Sequence, residues 1–246
     1  MFLFNLISFA LLFCGVKLVN CKAVFSEYPE TVLTPDEMTR ANETTMAVSI
    51  RMTAKEVALF QRYLYKSSDY FEFGCGGSTI VACKTGPPAL TVTSVDSNQE
   101  WVDIVLSNPN VAVKTTGKLL QMSVVDIGPV GSWGFPTQSA ADSKGAWYMY
   151  SQAISMTGKS YDLVLVDGRF RVACLLNSFI SNPKASVLIH DFFDPGHHHA
   201  YAALLTVSDV VDRADTLVAL RPKAGVRKED LMKMYATFIH VPERRR

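Results

Sequence analysis

The chain has 246 residues, 48% of them hydrophobic and 19% charged, with a formal net charge of +1. That is enough apolar material for one well-packed domain and too little length for two large ones, and the near-neutral balance removes any general electrostatic case for nucleic acid or an anionic membrane surface. Setting aside the first 23 residues leaves Cys75, Cys83 and Cys174, an odd number without metal-like spacing, so neither a disulfide framework nor a zinc site is expected.

The opening run MFLFNLISFALLFCGV is too short for a comfortable bilayer span and of the right length for a signal-peptide core. Residues 1–23 therefore read as a cleaved signal or, because no basic flank precedes the apolar block, as an uncleaved anchor. Residues 24–46 form a polar leader in which Asn42-Glu43-Thr44 is a glycosylation sequon, as a secretory route would use. The remainder, 47–246, reads as one domain. In TAKEVALFQRYLYKSS, Val57, Leu59, Phe60, Tyr63 and Leu64 recur at helical spacing.

A rhythm of short apolar runs and helix-like segments follows: DYFEFG then STIVACK, LTVTSVD then NQEWVDIVLSN, KLLQMSVVDIG then AWYMYSQAISM, YDLVLVDG then FRVACLLNSFI, SVLIHDFF then HHHAYAALLTVSDVV, and DTLVALRP then RKEDLMKMYATFI. Runs such as LVLV, without polar alternation, suit strands covered on both faces. The alternation with helices predicts an α/β fold, a doubly wound and mostly parallel sheet joined by right-handed crossovers. The long irregular segment 128–145 lies between the third strand and its helix, and Trp133 and Phe135 in it either cover a ligand or pack the loop down. The basic end Arg244-Arg245-Arg246 reads as a solvated tail.

A parallel sheet of this kind binds ligands beyond the carboxyl ends of its strands, where strand order reverses. The turn FEFGCGGST lies at the first such end. A phosphate-binding loop needs a lysine after its last glycine, and Ser78 and Thr79 stand there instead. A dinucleotide fingerprint would match Gly74 and Gly76 but needs a third glycine where Thr79 stands. S-adenosylmethionine carries no pyrophosphate; its amino-acid tail and ribose diol call for close backbone approach and carboxylates. Glu72 precedes the glycines and Asp96 closes the next strand.

The run EFGCGGS together with Asp96 resembles the class I S-adenosylmethionine-dependent methyltransferase superfamily, over residues from about 70 to 222. GPVGSWGFP, VDGRFRVACLL and IHDFF further resemble a group of methyltransferase-like proteins. The resemblance implies that Gly74, Gly76 and Gly77 line the methionine end, with Glu72, Cys75 and Ser78 alongside. It implies that Asp96 holds the ribose and that Asp126 with Ile127 borders the adenine. Superfamily members finish with an antiparallel hairpin. Here a helix is read after DTLVALRP, so the last strand is missing or hidden in ATFIHV.

Methyl transfer asks the protein to align a nucleophile with the methyl carbon and to remove a proton. Asp167 and Asp191 end the fourth and fifth strands, and two such carboxylates can share a divalent cation such as Mg2+. Metal-dependent O-methyltransferases of the catechol type have acids at comparable strand ends, the second followed by an asparagine; Phe192 stands at that position here. Asp167 could equally cap the turn at Gly168. His190 is a general-base candidate or a buried, hydrogen-bonded histidine. Arg169 and Arg171 could bind an acidic substrate or pair with a nearby aspartate. Of the consecutive His197, His198 and His199, which cannot all ligate one ion from a regular helix, His197 is expected to face the cleft.

The expected protein is a secretory-pathway enzyme that uses S-adenosylmethionine to O-methylate a small molecule or glycan. The alternative is a non-catalytic module that binds a nucleotide-like ligand on the same fold. A dinucleotide oxidoreductase is discouraged by Thr79.

Overall fold

The structure, a computed structural model, describes residues 48–137, 144–195 and 201–242. The leader, the sequon at Asn42, His197 and the terminal arginines lie outside the described residues. Among the described residues no helix is long and apolar enough to cross a membrane.

Helix α1 (Ala54–Leu64) starts where the sequence says a helix should. Thr53 caps the backbone N–H of Glu56 while the Glu56 carboxylate reaches back to the N–H of Thr53, and Leu59, Phe60 and Leu64 form the buried stripe. Strand β1 (Asp69–Phe73) leads through the glycine turn into α2 (Gly77–Thr85), then β2 (Thr91–Asp96) and α3 (Gln99–Leu106). An additional helix, α4 (Pro109–Thr116), precedes β3 (Leu120–Val124); its signals were Asn108 at the cap and proline at the first helical position. Helix α5 (Tyr148–Met156), β4 (Leu163–Val166), α6 (Arg171–Ser181) and β5 (Ser186–Ile189) complete the parallel part.

The chain ends with β6 (Ser208–Ala214), β7 (Leu217–Pro222) and α7 (Lys228–Phe238). This corrects two expectations. The segment read as helical through Val211 contains a short 3-10 turn at Ala202–Thr206 and then strand β6, and ATFIHV closes α7 instead of hiding a strand. The antiparallel hairpin is present one segment earlier than expected. Its two-residue link, Asp215-Thr216, needs a left-handed residue, and Asp215 takes φ 46° there. An Asp-Thr pair is a weak hairpin signal, and only β7 is buried enough to read as a core strand.

Seven strands form one sheet in the order β3-β2-β1-β4-β5-β7-β6, parallel except for β7, which runs antiparallel to β5 and β6. The apolar run of β4 splits between two cores. Val164 and Val166 join Phe71, Phe73 and Val187 under α5 and α6, while Leu163 and Leu165 join Tyr70, Val92 and Leu188 under α1. Unbroken hydrophobicity therefore encodes two buried faces.

Strand order reverses between β1 and β4, and the turns that follow these two strands touch just beyond their ends. A Cβ on Gly74 would lie 2.7 Å from the Gly168 Cα, and one on Gly168 would lie 2.1 Å from the Tyr150 hydroxyl oxygen. Replacing Gly168 by Ala is expected to lower stability by about 1–3 kcal/mol, the usual cost of overpacking. Because the nearest obstacle is one oxygen atom, adding Tyr150→Phe should recover part of that loss in urea unfolding. A double variant no more stable than Gly168→Ala would place the strain elsewhere.

Candidate active site

The glycine turn spends its own hydrogen-bond donors. Gly74, at φ 91°, donates its N–H to the Val95 carbonyl at 2.8 Å. The Cys75 N–H donates to Asp96 Oδ2 at 3.0 Å, and the Gly76 N–H to Thr79 Oγ1 at 2.9 Å. Three amides that would converge on a phosphate are thereby committed to internal acceptors, which explains in structural terms why no lysine follows. What the turn offers is a bare backbone surface beside one carboxylate.

Glu72 is wholly buried and braces this turn from behind. It accepts hydrogen bonds from the Tyr70 hydroxyl at 2.8 Å, from Ser78 Oγ at 2.8 Å and from Thr79 Oγ1. Burial pushes its pKa up to about 7, against the opposing pull of these hydroxyls. Thr79, the departure from the dinucleotide pattern, is the hinge of this arrangement, donating to Glu72 while accepting from Gly76.

Asp96 Oδ1 accepts the N–H groups of Ser97 at 2.7 Å and Asn98 at 3.1 Å, which leaves acceptor capacity mainly on Oδ2. Burial raises its pKa, and the backbone bonds oppose the rise. Asp126 is exposed and accepts from the Gly128 N–H at 2.8 Å. Above these strand ends passes the segment 128–137. A Cβ on Gly134 would face Ser97 Oγ at 3.4 Å, Phe135 lies 4.0 Å from the Arg169 guanidinium, and Trp133 stands exposed with Arg51 6.0 Å from its ring.

Beyond β4 and β5 lies a charged cluster. His190 Nδ1 is 3.2 Å from Asp167 Oδ1, and His190 Nε2 is 3.5 Å from Glu56 Oε2, contributed by the first turn of α1. Both ring nitrogens face carboxylates, an arrangement suited to the imidazolium. Burial alone would lower the His190 pKa, but Asp167 and Glu56 overcome it and raise it to about 10. Arg171, from the first turn of α6, reaches Asp167 Oδ1 at 3.1 Å and Asp191 Oδ2 at 3.0 Å, and donates to the carbonyls of Gly168 and His190. Burial alone would raise the Asp167 pKa, yet His190 and Arg171 hold it at about 2. The carboxylates of Asp167 and Asp191 are 25% and 20% exposed, whereas the Arg171 and His190 side chains are 6% and 7% exposed. The acids face the cleft and the cations stand behind them.

No protein-family model matches this sequence, and no curated protein matches it. Solved structures do. A methyltransferase-like protein from Silicibacter pomeroyi is 26% identical, with 79% of this chain and 98% of that chain covered and a TM-score of 0.63. An O-methyltransferase from Bacillus cereus, solved with S-adenosylhomocysteine (SAH), shares the fold at 10% identity and a TM-score of 0.50, over 79% of this chain and 94% of that one.

The chain has the Rossmann-like fold of these methyltransferases.

Placed in this methyltransferase fold, the residues expected at the cofactor divide. Gly74, Cys75, Gly76 and Asp96 meet at the carboxyl ends of β1 and β2, and Asp126 lies at the outer edge of the same crevice. Glu72 and Ser78 do not present themselves to it, because they are bonded to each other inside the protein. Gly77 also has another use: a Cβ there would lie 2.2 Å from the Ile50 Cα, so its lack of a side chain admits the segment before α1. Ile127 is fully buried in the core, with only its carbonyl engaged, by the Trp147 indole N–H at 2.9 Å. The Cys75 thiol is buried, and burial pushes its pKa well up, as a packed and unreactive residue requires.

In the acceptor half, Asp167, His190 and Asp191 do come together, but His190 is held as a cation and does not suit the role of base. Arg171 pairs with both aspartates, and Arg169 stacks on Phe135. One donor atom from each of Asp167, His190 and Asp191 falls within 4.8 Å of the others, close enough in distance for a metal. The Arg171 guanidinium already bridges the two acids and Phe192 stacks on Tyr201 in the core, so the donor set does not fit a divalent cation. Sequence reasoning missed Glu56. Its capping-box position was readable, but its second oxygen reaches Thr216, 160 residues away.

Two pH windows follow. The folded His190 pKa lies near 10 and its ordinary value is 6.5, so its contribution to stability is full below pH 6.5 and disappears as pH rises towards 10. Glu72, raised from 4.5 to about 7, makes stability fall over that lower interval as the buried carboxyl ionises. Urea midpoints measured against pH should show both declines. Glu72→Gln should remove the lower one and His190→Gln the upper one; an unchanged profile in either variant would refute the assignment for that residue.

Proposed function

We propose that this chain is an S-adenosylmethionine-dependent O-methyltransferase acting on a hydroxyl or carboxyl group of a small molecule or glycan. The observation that carries the reading is the junction of the glycine turn with Asp96, where the turn's amides are committed internally and a partly exposed carboxylate remains at the cofactor crevice. The likeness to the Silicibacter pomeroyi methyltransferase-like protein supports it. The Gly74–Cys75–Gly76 backbone would hold the amino-acid end, Asp96 Oδ2 a ribose hydroxyl, and Asp126 the adenine edge.

When bound, the cofactor supplies a methyl group on a sulfonium that leaves readily. The protein's part is alignment and proton removal. Asp167 and Asp191 face the cleft and can accept a hydrogen bond from an acceptor hydroxyl. A carboxylate held near pKa 2 is a weak base, but a hydroxyl oxygen that has begun to bond the methyl carbon is strongly acidic, so Asp167 can take its proton late. A carboxylate acceptor would need no proton removed. His190 and Arg171 keep Asp167 ionised until that step. The segment 128–137, with Trp133, Phe135 and Arg169, supports a cover over the acceptor.

The apolar block at residues 1–16 and the sequon at Asn42 support a secretory-pathway location, secreted, lumenal or anchored by that block. Phe192, standing where the catechol-type enzymes carry an asparagine, favours one further reading, a binding module of the same fold without turnover. Calorimetry of the purified protein with S-adenosylmethionine and SAH tests the central reading. Wild type should bind both, and Asp96→Ala should bind neither while its circular dichroism is unchanged. Equal affinity in the variant would end the ribose assignment, and a folded wild type that binds neither ligand would end the methyltransferase reading. Binding without methyl transfer to any acceptor would leave the module.

A further inference from the structure

We infer that Arg171 is a positioning residue whose guanidinium stands where a divalent cation would have to sit between Asp167 and Asp191, so that the acid pair is set for its acceptor without a metal. The inference rests on the reading of these two acids as the acceptor face. Arg171 Nη2 lies 3.1 Å from Asp167 Oδ1 and Nη1 lies 3.0 Å from Asp191 Oδ2, so one planar group spans the two strand ends. Nε and Nη1 also donate to the carbonyls of Gly168 at 3.0 Å and His190 at 2.9 Å, which fixes the fork from four sides. A guanidinium so held cannot swing away without leaving buried carbonyls unmatched.

Charge leads to the same conclusion. Asp167 and Asp191 are both met by the Arg171 guanidinium, so one permanent cation already stands within contact distance of each. A further double positive charge between them would be repelled by that guanidinium at close range in a poorly screened site. The residue after Asp191, Phe192, is fully buried against Tyr201, and its side chain carries no oxygen to offer a metal. Asp191 itself takes φ 59°, a left-handed conformation, and its Oδ2 accepts from Arg171 while its Oδ1 lies 3.7 Å from His190 Nδ1.

The experiment titrates the full chain with Mn2+ and follows free metal by electron paramagnetic resonance, for wild type, Arg171→Met, Arg171→Gln and each of these with Asp191→Asn. Wild type should bind no stoichiometric Mn2+. A folded Arg171 variant should gain a one-to-one site, and Asp191→Asn should remove it again, a gain that mere loss of packing would not produce. Tight one-to-one binding by wild type that Asp167→Asn abolishes would overturn the inference, and this arm needs no Arg171 variant to fold. A folded Arg171→Met or Arg171→Gln that gains no site would also overturn it. Calorimetry with SAH on the same samples keeps the two questions apart, because failure to bind SAH counts against the methyltransferase reading whatever the Mn2+ result.

Discussion

The charge network around His190 joins distant parts of the chain. Glu56 brings in α1, and the same carboxylate accepts the N–H groups of Thr216 at 2.9 Å and Leu217 at 3.1 Å, at the turn of the terminal hairpin. Asp167 and Asp191 bring in the ends of β4 and β5, and Arg171 the start of α6. Buried charges of this kind are tolerated only when each is paired and each remaining donor is satisfied, because desolvation of an unpaired ion costs several kcal/mol, roughly, even after relaxation. Here the pairing is complete enough that Asp167 stays ionised and His190 stays protonated. The network thus fixes the relative position of the first helix, the central strands and the hairpin, and it determines the charge state of the acceptor face.

The glycine turn is organised on a different principle. Its amides are turned inward, towards Val95, Asp96 and Thr79, and its glycines serve three separate needs. Gly74 lets β1 lie against Gly168, Gly76 takes φ 156°, a conformation side chains rarely adopt, and Gly77 admits the Ile50 backbone. Trp101 donates its indole N–H to the Cys75 carbonyl at 2.8 Å, which holds the turn from the side of α3. A ligand at this crevice meets a shape and a carboxylate, which suits a ribose and an amino-acid tail better than a pyrophosphate.

Sequence and structure agree where the signal is local and disagree where it is not. The strands of the parallel part, the cap at Thr53 and the strand-end positions of Asp96, Asp167 and Asp191 were all readable, because period, turn residues and apolar runs are properties of neighbouring residues. The hairpin was misplaced because β6 is an edge strand with exposed Val210 and Val211 and carries little apolar pattern of its own. Helix α4 has a weak apolar pattern, and its sequence signal is confined to the cap Asn108-Pro109. Glu72 and Ser78 were placed at the ligand because they adjoin the glycines, yet the pleat of β1 turns Glu72 inward to the hydroxyls of Tyr70, Ser78 and Thr79.

By itself, then, the sequence determined an α/β sheet covered on both faces, a glycine turn unsuited to phosphate, and a set of acids at the carboxyl ends of the strands. Only the tertiary structure decided what those groups are: Asp167 a carboxylate held ionised, His190 a cation, Arg171 the bridge between the acids, and Glu56 their link to α1. The reason is physical. Protonation state and hydrogen-bond partner depend on burial and on charges brought within a few ångströms by folding, and the residues concerned are separated in the chain by as many as 162 positions, as between Thr53 and Asp215 beside the same network.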